Sequence, residues 1–284
     1  WGVVHECARS PCAVISAACV AAVCSLVALM AGRWFGASRL LAWVLVAGIL
    51  LSRFAAMLYF DYIAGIIESM SLALFLATAW VAVAALRTRG TDAMLLAVLL
   101  AIASAMVHER YVAATFAMGV VITGWALLEL PRGARLKVLL FALALALLPV
   151  ATYLALHELL AVSSIATGTG GQEVSIDLGT AKVFLTYMAN VLLGANFGNE
   201  WLVGSLNVAS PAGRAWSIAF ALVFLCAWAL HAWSIRHDRA MLLRALGLLA
   251  IIGAMGVMAS LPGEARQEGR WLHPMATLAA LLAL

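Results

Sequence analysis

Apolar residues run along this chain in long stretches broken by short charged clusters, with no sustained alternation of polar and apolar positions. The stretches lie at roughly 11–31, 40–60, 63–86, 93–107, 112–130, 138–157, 215–235, 241–260 and 271–284. Most approach the ~20 residues that a helix needs to cross ~30 Å of hydrocarbon. The pattern predicts an all-α fold, a polytopic transmembrane helix bundle of about nine spans with the last incomplete. Residues 93–107 reach a spanning length only if His108 and Glu109 sit at an interface or in a wet cavity. With Trp1 at its start and Leu284 inside an apolar run, the chain 1–284 reads as a fragment, a single transmembrane domain.

Composition agrees with this pattern. Hydrophobic residues make up 66% of the chain and charged residues 11%, with a mean hydropathy of +1.07. A water-soluble domain of this size has no interior large enough to hide that much apolar surface. The net charge is +4, but the 17 Lys and Arg residues are scattered between apolar stretches and form no basic stripe, which argues against a nucleic-acid partner. The five Cys residues include no CxxC pair; Cys19, Cys24 and Cys226 read as small apolar fillers.

The charges do more than interrupt the spans. One set of alternate loops holds Arg33, Arg39, Arg87, Arg89, Arg132, Arg135, Lys137, Arg236, Arg239 and Arg244, and the positive-inside rule makes that set cytoplasmic. Of the acids, Asp92, Glu129 and Asp238 share this side, and the other carboxylates fall on the opposite face. Acids contribute little to orientation, so the asymmetry calls for a functional reason. The outward loop, 158–214, opens on Gly168-Thr-Gly-Gly171 and continues into an amphipathic stretch, Ala181 to Leu206, that reads as an interfacial helix. Its glycines lack the Lys-Ser/Thr of a Walker A loop.

Three groups on the outward face carry candidate chemistry. In the first, Asp61 and Glu68 open the third span, about 10 Å apart on one helix face. Either they act together on a metal, a sugar or a proton, or Asp61 caps the helix and Glu68 is a satisfied intramembrane carboxylate. The second is His108-Glu109-Arg110-Tyr111, wedged between the fourth and fifth spans. Its Arg110 can fork onto a phosphate while His108 or Glu109 moves protons; alternatively the group is a tight hairpin whose charges pair with one another. The third, Glu264 to Pro274, includes Arg266, Glu268, Arg270 and His273. Arginines on a non-cytoplasmic face suit a phosphate anion, and a solvated loop with internal ion pairs is the plainer reading. His-Glu pairs at His5, His108 and His157 allow a divalent metal without requiring one, since none has HExxH spacing.

Three segments together resemble the polytopic GT-C glycosyltransferases, which include the protein O-mannosyltransferases and the bacterial aminoarabinose transferases. They are Tyr59-Phe-Asp-Tyr-Ile-Ala-Gly-Ile-Ile-Glu68, the His108-Glu-Arg-Tyr111 hinge after the Arg87-Thr-Arg-Gly90 turn, and Arg270-Trp-Leu-His-Pro274. Trp271 stands where the family usually has Tyr. The resemblance implies transfer of a sugar from a polyprenyl-phosphate carrier to an acceptor at the outer face, with membrane lipid as surroundings. It casts Glu68, Glu109 and Asp61 as supporting carboxylates, and His108, Arg110, Arg266, Glu268, Arg270 and His273 as substrate-binding groups. The family's main acid lies in the first outward loop, of which Trp1 to Pro11 with Glu6 is what this chain holds. The expected location is a bacterial inner membrane with the active face in the periplasm. A secondary transporter or channel, or a noncatalytic membrane subunit, are the competing classes; clean span centres and the lack of a repeat weigh against transport.

Overall fold

The computed structural model describes residues 11–52, 55, 62–159, 176–193, 211–261 and 272–284. Among these residues the chain is helical throughout, with ten α-helices and no strand. In chain order they are α1 Pro11–Trp34, α2 Arg39–Leu50, α3 Tyr62–Thr88, α4 Thr91–Val107, α5 Arg110–Glu129, α6 Arg132–Leu159, α7 Leu178–Leu192, α8 Pro211–Ile235, α9 Arg239–Ser260 and α10 His273–Leu282. Five stretches are long and apolar enough to cross a membrane: α1, Gly65–Thr88 of α3, α5, α6 and α9. α2, α4, Ala221–Ile235 of α8 and α10 are shorter apolar helices. Large apolar side chains such as Trp43, Leu99 and Leu140 lie exposed on the outer faces of these helices. Water would not tolerate so continuous an apolar exterior, and lipid requires it. The chain is thus an α-helical integral membrane protein.

The second apolar stretch is described only in part, since its residues 53, 54 and 56–60 lie outside the described residues. Its helix stops at Leu50, where Ser52 donates both its backbone N–H and its hydroxyl to the Ile49 carbonyl. Twelve residues rise only about 18 Å, so α2 alone does not reach across the hydrocarbon. The other helices start within a few residues of the predicted stretches, and α5 begins early enough to take in Arg110 and Tyr111.

The described residues form two compact units, one drawn from those within 1–48 and 57–162, the other from those within 49–56 and 163–284. In the first, α3 packs on α1 and α4, and α6 on α4 and α5. Trp34 stacks on Trp80 at 5.8 Å between α1 and α3. Small residues let the helices approach: a Cβ at Gly119 of α5 would lie 2.5 Å from the Ala142 carbonyl oxygen of α6. At the basic end, Arg89 takes a left-handed φ of 54° after α3, and Lys137 of α6 donates to the Arg89 carbonyl at 2.6 Å and to Thr91 Oγ1 at 3.0 Å. This clamp ties the first turns of α6 to the α3–α4 turn.

In the second unit, α9 packs against α7, α8 and α10. α7 starts on a capping box in which Asp177 accepts from the Thr180 backbone N–H at 2.9 Å. It ends where Trp228 Nε1 of α8 donates to the Leu192 carbonyl at 2.6 Å. The helix of the 158–214 loop therefore runs over Leu178–Leu192; the rest of the expected stretch to Leu206 lies, apart from Leu193, outside the described residues.

Candidate functional site

Antiparallel packing of α3 and α4 sets up a ladder of polar residues. Ser104 of α4 donates its hydroxyl to the Ser71 carbonyl of α3 at 3.0 Å, in a fully buried position. One turn further toward the acidic end, the same register brings Glu68 of α3 beside His108, the residue that caps α4. The chain turns through His108 and Glu109 without a glycine and re-enters helix at Arg110, so the first residue of α5 swings back against α3.

There Arg110 Nη2 donates to Glu68 Oε1 in a buried ion pair, with Arg110 1% and Glu68 3% exposed. The same Nη2 lies 2.8 Å from His108 Nε2. A guanidinium can only donate, so Nε2 accepts and the ring proton sits on Nδ1. The Arg110 backbone N–H also approaches Nδ1, but at 3.4 Å, and yields to the shorter contact. Nδ1 faces Glu109 Oε2 at 3.7 Å, and His108 Nε2 stands 3.4 Å from Glu68 Oε1. Tyr111 closes the group from below, 5.5 Å between ring centroids from Phe75 and edge-on to His108 at 6.4 Å.

Each member compensates another. A cation in the first turn of α5 opposes the helix dipole, and Glu68 supplies the balancing charge. Isolated, either charge would cost several kcal/mol in so dry a place. Glu68 keeps one oxygen, Oε2, buried and without a hydrogen-bond partner among the described residues, the one acceptor of the pair still available to a donor. Glu109 is the most accessible member, its side chain 21% exposed. Just beyond it, at the acidic end of α6, the Tyr153 and His157 rings meet at a 51° tilt with centroids 4.6 Å apart.

The structure thus joins two of the three groups singled out in the sequence, since Glu68 meets His108 and Arg110 with Glu109 at their edge. The hinge neither stands open nor pairs only with itself; its arginine reaches 42 residues back to α3. Arg110 also fills the place a cation would take, and among the described residues no three His, Cys, Asp or Glu side chains converge as metal ligands. Asp61, Arg266, Glu268 and Arg270 lie outside the described residues, as do Glu6, His5, Glu264 and Trp271. His273 is buried at the start of α10, in the second unit. Sequence reading missed Ser71, Ser104 and the Tyr153–His157 pair. Ser71 and Ser104 carried a signal, lying three and four residues from Glu68 and His108 and so one turn along the same faces. Nothing among known protein families, characterised proteins or solved structures matches this chain.

Proposed function

We propose that this protein is a GT-C-type membrane glycosyltransferase that moves a sugar from a polyprenyl-phosphate carrier to an acceptor at the non-cytoplasmic face. The observation that carries the reading is the buried Glu68–Arg110 pair with His108, set at the helix ends opposite the basic clamp and leaving Glu109 accessible. A bundle of about nine spans, lying in a bacterial inner membrane with this face in the periplasm, puts that cluster beside the headgroups. A lipid-borne donor presents its phosphate and sugar at that depth.

In this reading Arg110 and Glu68 are positioning residues, holding the hinge rigid. Glu109 takes the proton of the acceptor hydroxyl or holds a ring hydroxyl of the sugar. The donor phosphate is assigned to Arg266 and Arg270, with Glu268 and His273 near them in sequence, through charge-assisted hydrogen bonds, and Asp61 is assigned to the sugar. A divalent metal would add Lewis acidity, but the arginines already meet the phosphate charge. The second reading is a proton-coupled transporter, favoured by the depth of Glu68, seven residues after Asp61 within a span.

The test is binding of a polyprenyl-phosphate sugar to the full-length protein in nanodiscs. Arg270→Ala should weaken saturable binding at least about tenfold, roughly 1.4 kcal/mol. Glu109→Gln should bind the donor normally and transfer slowly. A lipid that does not bind, or binds both variants and wild type equally with unchanged turnover, defeats the glycosyltransferase reading and advances the transporter.

A further inference from the structure

α7 is built inside out. Four of its five buried residues, Thr180, Thr186, Tyr187 and Asn190, carry polar groups. Its outer face presents Leu178 (88% exposed), Ala181, Leu185 (66% exposed) and Ala189, with Lys182 the one charged side chain in the stripe and the largely buried Thr186 at its edge. A helix facing water shows the reverse arrangement. The buried polar groups do not draw α7 inward by unmet need, because Thr186 Oγ1 donates to the Lys182 carbonyl at 2.8 Å and Asn190 Nδ2 to the Thr186 carbonyl at 2.9 Å. What needs explaining is the apolar exterior.

Depth supplies the explanation. Met188 and Phe184 of α7 lie directly on Gly256, where a Cβ would come within 2.5 Å of Met188 Cε. Gly256 is one turn from the end of α9 at Ser260, and the 22 residues of α9 rise about 33 Å, the thickness of the hydrocarbon core. α7 therefore rests about 6 Å inside the end of a spanning helix, at the boundary between acyl chains and headgroups.

We propose that the Leu178–Ala181–Leu185–Ala189 face of α7 is a lipid-binding surface immersed in the adjacent leaflet, with Lys182 reaching up to the phosphate of an anionic lipid. The stem of Lys182 lies along the stripe while its ammonium rises to the headgroups. This rests on α9 spanning the membrane and is independent of the glycosyltransferase reading.

The test places the photocrosslinker p-benzoylphenylalanine at Leu185, and separately at Leu178, in the full chain. Nanodiscs of phosphatidylcholine with phosphatidylglycerol are irradiated and the adducts identified by mass spectrometry. Lipid adducts should dominate at both positions. Phosphatidylglycerol should be enriched over its share of the bilayer by up to about fivefold, the scale of one basic side chain near an anionic surface. Lys182→Arg should keep the enrichment and Lys182→Glu abolish it. Crosslinks to a second copy of the chain or to another protein, or no adduct at either position, overturn the proposal. So does enrichment that survives Lys182→Glu.

Discussion

Replacing Arg110 by Met keeps most of the side-chain volume and removes the charge, stranding the Glu68 carboxylate at 3% exposure without its guanidinium. Three things are lost together: the ion pair, the donor to His108 Nε2 and the balance of charge at the start of α5. Breaking a buried pair from one side costs about 3–5 kcal/mol, because the survivor stays buried. Glu68→Gln should cost less, since the amide keeps an acceptor for Arg110 but leaves the cation uncompensated. The pair is diagnostic because its members couple. The double variant Glu68→Gln/Arg110→Met buries no net charge, so it should be more stable than the sum of the singles by about 2 kcal/mol or more, within the range expected for contacting residues. Reversible unfolding in bicelles, followed by steric trapping, gives the three free energies of the cycle. Strict additivity, or singles no worse than about 0.5 kcal/mol as at ordinary surface positions, would refute a buried ion pair at this site.

Other expectations follow from single contacts. Gly119→Ala drives a methyl into the α6 backbone at Ala142 and Ala146 and should cost about 1–3 kcal/mol by thermal unfolding, whereas Gly124→Ala in the same helix meets nothing within 4 Å and should cost nothing by that measurement. Ser104→Ala leaves the Ser71 carbonyl in its helix but removes the rung between α3 and α4, for a loss of about 0.5–1.5 kcal/mol by thermal unfolding. Asp177→Ala opens the capping box of α7 and should speed amide exchange in its first turn, at a local cost of about 0.5–2 kcal/mol, without changing exchange in α5.

The five long helices were legible because each answers one strong constraint, a run of apolar residues long enough to bury its backbone in lipid. α2 shows the limit: the stretch 40–60 contains Ser52 and Arg53, and the serine hydroxyl that ends the helix is invisible to a hydropathy count. That Glu68 and the charges of the His108–Tyr111 hinge need partners was also readable, since charges so placed are costly alone. Their pairing was not. Contact between residues 42 apart depends on the angle at which α5 leaves the hinge, which is set by helix packing and leaves no period in the sequence. The ending of α7 on Trp228 was hidden for the same reason, its partner being 36 residues away.

The proposed function requires one-sidedness, with Glu109 and Arg270 reachable from the non-cytoplasmic side and Arg87, next to the Arg89–Lys137 clamp, from the cytoplasmic side. The direct test replaces the native cysteines with Ser, introduces Glu109→Cys, Arg270→Cys or Arg87→Cys singly, and labels intact cells with a membrane-impermeant maleimide. Positions 109 and 270 should label from outside, and position 87 only after the cells are opened. Labelling of 87 from outside, or of 109 and 270 only in opened cells, would put the proposed chemistry on the wrong side of the membrane and contradict the account.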